Sequence, residues 1–291
     1  MRIIVPGKLV LLGEYSVLGG AHAMVAAVDR YAICEASKRE IEPSPVVKSV
    51  CEESGRPELA SRLVVDTSAF YDERNRKLGL GSSAAVAVAA SVFASQKTDH
   101  ESYESALNGH RKAASGVGSG IDVAASYYGG VIATTNQPAP LKHLPGEIPG
   151  LYLAVFFLNR SAKTEHMVKA CQSSRDWQSI TEGMAKTSLE GIEAWRAGSA
   201  SDFVDASREY GRQMQALGVS ANAPVFTEQM DRLSKISNTY GAAAKPSGAG
   251  GGDVALVWST NSDDLDQIEQ ESSLKRIKLQ ISPRGVQFID S

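Results

Sequence analysis

Apolar, β-branched positions open the chain at residues 3–5 and resume at 9–12 after an interruption by Pro6, Gly7 and Lys8. Gly19 and Gly20 make a turn, and 23–36 is largely apolar, charged only at Asp29, Arg30 and Glu35. Such runs predict a strand followed by a strand or strand pair of an antiparallel sheet. Residues 38–76 are polar and irregular, with short extended pieces predicted at 46–51 and 63–66 and no pattern that carries chemistry. The small-residue run 84–94 predicts a buried helix, and 101–114 a second one. A short helical stretch at 123–127 ends at Gly129 and Gly130, before a strand at 131–134. Four prolines and two glycines within 137–150 mark a boundary between two lobes, 1–145 and 146–291. The second half begins with a strong strand at 151–158 and a helix at 165–170. Longer helices follow at 178–196, 201–217 and 223–240, with Trp177 and Trp195 as core or boundary aromatics. These helices need a sheet to bury their apolar faces. A glycine loop over 241–253 feeds a strand at 254–258, a short helix covers 263–270, and closing strands are predicted at 274–280 and 285–289.

Composition narrows the function classes. A chain of 291 residues has ample material for a core, in one large domain or two lobes. A net charge of -3 gives no reason to expect a nucleic-acid or anionic-membrane surface. Three scattered cysteines, Cys34, Cys51 and Cys171, without a CxxC spacing, fit a reducing cytosol. The opening MRIIVPGKLV is strand-like and lacks the features of a secretory signal, so a cytoplasmic location is expected. Twenty-six glycines, many beside serines, are more than turns alone require.

Those glycines gather in islands. In the first, Gly79 and Gly81 permit φ > 0, and Ser82 and Ser83 can cap the helix that follows. Its first turn offers a phosphate unpaired N–H groups and the positive end of the dipole. Close packing of a Gly-Ser turn explains the same residues, and neither a Walker loop nor a GxGxxG fingerprint is present. Lys8, inside an apolar β run, is either an edge lysine or a site cation, and Glu14 is equally two-sided. In the second island Asp122 follows a Gly-Ser-Gly turn. It is either a helix cap or an acid aimed at a substrate hydroxyl. Gly248, Gly250, Gly251 and Gly252 cost chain entropy and imply close approach of a ligand or of another loop. Islands in both halves argue for one site in a cleft between lobes.

Three stretches, PGKLVLLGEYSVLGG, GLGSSAAVAVAA and KPSGAGGGD, resemble in this order the motifs of one kinase superfamily. It is the GHMP superfamily, named for galactokinase, homoserine kinase, mevalonate kinase and phosphomevalonate kinase. The resemblance runs from Pro6 to Asp253 and implies an α+β, two-lobe fold. The N-terminal lobe would be like ribosomal protein S5 domain 2 and the C-terminal lobe ferredoxin-like, with ATP and a small acceptor between them. Glu14-Tyr15, GSGIDVAASYYGG and HRKAASGVGSGID look most like the phosphomevalonate kinase branch. Mevalonate kinases typically place a magnesium-binding glutamate where this chain has Arg111.

Carried over by resemblance, Gly79, Leu80, Gly81, Ser82, Ser83 and Ala84 form the nucleotide-phosphate loop. Ser83 supplies a hydroxyl to Mg2+, Asp122 is base or orienter of the acceptor oxygen, and Lys8 is the cation beside it. Glu14, Tyr15, Ser119, Ser247, Gly248, Gly250 and Gly251 fall on the acceptor side. Arg111 and Lys163 are candidate cations for a phosphate already on the acceptor. The implied activity is ATP- and Mg2+-dependent phosphorylation of (R)-5-phosphomevalonate by a monomer or homodimer with no nucleic-acid or membrane partner. Mevalonate kinase, or another small-alcohol or sugar kinase of the superfamily, is the first alternative. A non-catalytic nucleotide or metabolite sensor of the same fold is the alternative of another class.

Overall fold

The computed structural model describes residues 2–116, 118–136, 141–158 and 164–289. β1 (Arg2–Leu12) and β2 (Ala23–Ala36) form a long antiparallel pair with register shifts at Pro6/Gly7 and Val10/Leu12. The predicted interruption at Pro6-Gly7-Lys8 is thus an irregularity inside one strand, where proline has no N–H for the ladder.

Residues 46–51, expected to be extended, are instead helical within α1 (Pro45–Glu53). Three β-branched valines favour a strand locally. However, the Ser44 hydroxyl accepts from Val47 N–H, Pro45 occupies the first turn, and Val47, Val50 and Cys51 share a buried face. β3 (Leu63–Asp66) pairs with β2 as predicted.

α2 (Ser82–Ser95) is apolar on all sides and buried along most of its length, as expected of a helix without a polar face. α3 (His100–Ala113) starts with a capping box between Asp99 and Ser102. α4 (Ile121–Tyr128) leads into β4 (Val131–Thr134), and β5 (Lys142–Leu144) pairs with β4.

The second half contains β6 (Tyr152–Phe157), α5 (Thr164–Gln172), α6 (Trp177–Ala197) and α7 (Ala200–Ser220). These are followed by α8 (Glu228–Thr239), β7 (Ala243–Pro246), β8 (Val254–Ser259) and α9 (Ser262–Ser272). β9 (Arg276–Ile277) and β10 (Gln287–Ile289) close the chain's path. α8 starts later than predicted, at a Thr227 cap. Residues 243–246, expected to lie in a loop, are a fully buried strand.

Among the described residues the strands form two sheets. One has six strands in the order β10-β1-β2-β4-β5 with β3 also on β2, and the other has four in the order β7-β8-β6-β9. The last strand therefore returns to the first sheet, with Ile3 opposite Phe288. An apolar cluster runs continuously from β1 and α2 into α7 and Trp258, with Trp195 in its core as expected. This is an α+β fold of two lobes sharing packed surface. No helix among the described residues is long and apolar enough to cross a membrane.

Candidate active site

A cavity of about 350 Å3 is lined by residues of both halves. β1 gives it Lys8 and Val10, and the turn after β1 gives Glu14 and Tyr15. The loop entering α2 contributes Gly79, Gly81 and Ser83, while Ser119, Ile121 and Asp122 come from the start of α4. Opposite them stand Thr164 and Val168 of α5, with Ser247, Gly248, Ala249 and Asp253 from the loop between β7 and β8.

Backbone conformation explains why glycine opens α2. Gly81, not Ser82 or Ser83, is the N-cap, with φ +81°, and no side chain caps the helix. A Cβ on Gly81 would stand 2.7 Å from Cγ of Lys8, and one on Gly79 would stand 2.4 Å from Cβ of Asp253. The glycines thus admit the lysine stem on one side and the third loop on the other. The Lys8 N–H donates to the Leu80 carbonyl at 2.8 Å, and Lys8 Nζ to the Gly79 carbonyl at 3.3 Å. The ammonium of a largely buried lysine is thereby fixed beside the first turn of α2, at the cavity wall. Leu80, Ser82 and Ala84 are buried behind that turn and do not line the cavity.

Asp122 sits in the first turn of α4, whose N-cap is Gly120. Its Oδ1 accepts from the adjacent Val123 N–H at 3.0 Å. The carboxylate thus belongs to a helix start lining the cavity, and the cap assignment passes to Gly120. Two helix N-termini, those of α2 and α4, face one space. That arrangement favours an anion.

Glu14 lies beneath the site. Its Oε1 accepts from Lys245 Nζ at 2.5 Å and from Gly248 N–H at 3.3 Å. Oε2 is buried without a partner among the described residues. Lys245 is fully buried in β7 and also donates to its neighbour's carbonyl, Pro246 O, at 2.7 Å. Burial pushes the Glu14 carboxyl up and the Lys245 ammonium down, while their mutual attraction opposes both shifts. Three further contacts cross between the halves. Val10 N–H donates to Ser247 Oγ at 2.9 Å, the Tyr210 hydroxyl donates to Glu14 O at 2.6 Å, and the Tyr15 hydroxyl donates to Ala249 O. Gly251 N–H is bonded to Val225 O, and Gly250 packs against the same residue. Gly250 and Gly251 therefore hold the third loop on the second half and stand outside the cavity lining.

Arg111 also stands outside the lining; its Nη2 donates to the carbonyls of Ser119 at 3.0 Å and Asn136 at 2.9 Å. It pins the loop that leads to Asp122. Lys163 lies outside the described residues. Several lining groups escaped the sequence reading, Lys77 and Glu165 among them, and two others make close contacts with the first glycine loop. His110, in the last turn of α3, places Nε2 3.1 Å from Ser83 Oγ. Asp253, the final residue of KPSGAGGGD, stands at φ +55° against Gly79. A histidine on a polar helix carries no periodic signal, although His110 heads the stretch HRKAASGVGSGID.

Comparison with known proteins agrees with this geometry. Residues 44–130 match the model of the GHMP kinases N terminal domain. Phosphomevalonate kinase of Streptomyces sp. (strain CL190) is 26% identical over 345 aligned positions, covering 91% of this chain and 92% of that one. Among solved structures, a Listeria innocua protein superposes with a TM-score of 0.86 at 22% identity, over 100% of both chains. Streptococcus pneumoniae phosphomevalonate kinase, in complex with phosphomevalonate and AMPPNP, superposes with a TM-score of 0.82 at 16% identity, over 97% of this chain and 99% of that one. Residues 44–130, which hold the glycine loop entering α2, thus form a GHMP kinases N terminal domain, and with a curated phosphomevalonate kinase similar across nearly the whole of both chains the protein is an ATP-dependent small-molecule kinase.

Proposed function

We propose that this kinase transfers the γ-phosphoryl group of ATP to (R)-5-phosphomevalonate, forming 5-diphosphomevalonate in the mevalonate route to isoprenoids, in the cytoplasm. One observation carries the reading: a buried lysine, two helix N-termini and an aspartate converge on a single cavity closed by both halves. The acceptor is suggested by likeness to a curated phosphomevalonate kinase across nearly the whole of both chains.

Phosphoryl transfer asks little covalent chemistry of a protein; it asks for in-line positioning and for charge stabilisation on the transferred oxygens. In this reading the N–H groups at the start of α2 hold the nucleotide phosphates, with Gly79 and Gly81 allowing close approach. Lys8, held by the Gly79 carbonyl, faces the charge that builds on the transferred group. An acceptor that is itself a phosphate monoester is largely ionised near neutral pH, since its second pKa is about 6. Asp122 then orients the acceptor and Lys8 more than it removes a proton. Residues 1–145, with β10 returned to their sheet, supply the nucleotide side in this reading, and the rest of 146–291 much of the acceptor side.

Mg2+ suits the groups present. It keeps several waters and takes one or two protein oxygens alongside nucleotide phosphates, rather than a cage of side chains. No group of three or more metal-ligating His, Cys, Asp or Glu occurs among the described residues. The cavity instead presents the Ser83 hydroxyl and the Asp122 carboxylate as hard oxygen donors. When bound, the ion would neutralise phosphate charge there.

The test is ADP formation by purified protein with ATP, Mg2+ and each of phosphomevalonate, mevalonate, homoserine and galactose. The highest kcat/KM is expected with phosphomevalonate. Much faster turnover of another acceptor would replace the assignment, and nucleotide binding without any turnover would favour a sensor.

A further inference from the structure

We infer that His110 is a positioning residue that turns the lone pairs of the Ser83 hydroxyl toward the cleft. The inference rests on the proposal that Ser83 provides an oxygen to the nucleotide-bound cation.

Ser83 lies in the first turn of α2, where a serine commonly turns its hydroxyl back on the backbone. Here it does not. No side chain caps this helix, and the partner of Ser83 Oγ among the described residues is Nε2 of His110 at 3.1 Å. His110 comes from α3, a separate helix packed beside α2. Both side chains line the cavity.

A hydroxyl has one proton and two lone pairs. When Nε2 accepts the proton, the donor capacity of Ser83 is spent and its lone pairs remain for a hard cation, which binds through oxygen lone pairs. Without that acceptor the hydroxyl is free to donate to a nucleotide phosphate and present a worse ligand. The role resembles that of groups behind metal ligands, whose loss typically weakens metal binding about 10–100-fold.

The experiment measures AMPPNP affinity by calorimetry, with Mg2+ and with EDTA, for the unaltered protein and for His110→Ala, His110→Gln and Ser83→Ala. His110→Ala is expected to lose about tenfold of the Mg2+-dependent gain, with affinity in EDTA unchanged. His110→Gln, which keeps an acceptor at similar reach, should retain most of the gain. If His110→Ala does not fold, His110→Phe keeps the ring's bulk without an acceptor and repeats the comparison. If His110→Ala keeps the gain while Ser83→Ala abolishes it, the inference fails and the role of Ser83 stands. If Ser83→Ala keeps the gain, the role of Ser83 fails and takes the inference with it. Equal losses with and without Mg2+ in both His110→Ala and His110→Gln would also overturn it, because they would assign the histidine to packing alone.

Discussion

Asp122 and Gly81 show how one residue serves both shape and chemistry. Because Gly120 caps α4, Asp122→Asn should leave the helix in place and act on turnover. A fall in kcat of about 10²-fold is expected, the range for a positioned acid-base or orienting group, with ATP KM nearly unchanged. Near-normal kcat with a lowered melting temperature would make the carboxylate a helix-start group only. Gly81→Ala meets two obstacles, a φ of +81° and the Lys8 stem. It should cost about 1–2 kcal/mol in urea unfolding and lower kcat as well, because relieving the contact displaces Lys8. Stability loss with kcat intact would separate the loop's shape from the lysine's place. The glycines were legible in the sequence because positive φ leaves a local mark. Lys245 was not. Its neighbours AAAKPSG read as loop, and what buries it is Glu14, 231 positions away along the chain.

At the scale of elements, legibility followed periodicity and failed where short segments take their state from partners. α2, α3, α6 and α7 were read within a few residues because long helices repeat their pattern. Residues 46–51 misled because six residues carrying three valines are too few to distinguish strand from helix. The Ser44-Pro45 start signal was the available cue. β7 has only four residues, AAKP, and becomes a strand by pairing with β8. α2 yields a prediction of its own, since its alanines let it sit against β1, α1, α3 and α4. Ala87, fully buried there, should not tolerate leucine: Ala87→Leu is expected to cost about 1–3 kcal/mol by overpacking. An unchanged urea midpoint would show slack that the packing does not suggest.

Across the whole molecule, the Glu14–Lys245 pair joins the first motif to the third beneath the cavity. Lys245→Met would leave Glu14 buried with both oxygens short of a cationic partner, at a cost of about 3–5 kcal/mol. The double variant Glu14→Gln with Lys245→Met should recover part of that loss. Additive losses in chemical denaturation would deny the coupling. The three thiols report on the same compactness. All are buried, and burial pushes Cys34 up to about 12, Cys51 up to about 11 and Cys171 upward. Since the thiolate is the reactive form, DTNB at pH 8 should label the folded protein slowly and all three cysteines rapidly in guanidinium. Rapid labelling of the native protein would place a thiol at the surface.

The pairing of β10 with β1 also sets an order of events during synthesis. β1 emerges from the ribosome long before β10, its outer partner, which lies more than 280 positions later in the chain. Until then one edge of β1 presents unpaired backbone groups, the kind of edge on which chains join one another, and a contact closed over so long a loop forms slowly. A chaperone that shields nascent strands would therefore find its target at residues 2–4. Chains released early, before residue 287, should aggregate from that edge even with every group of the cleft already translated.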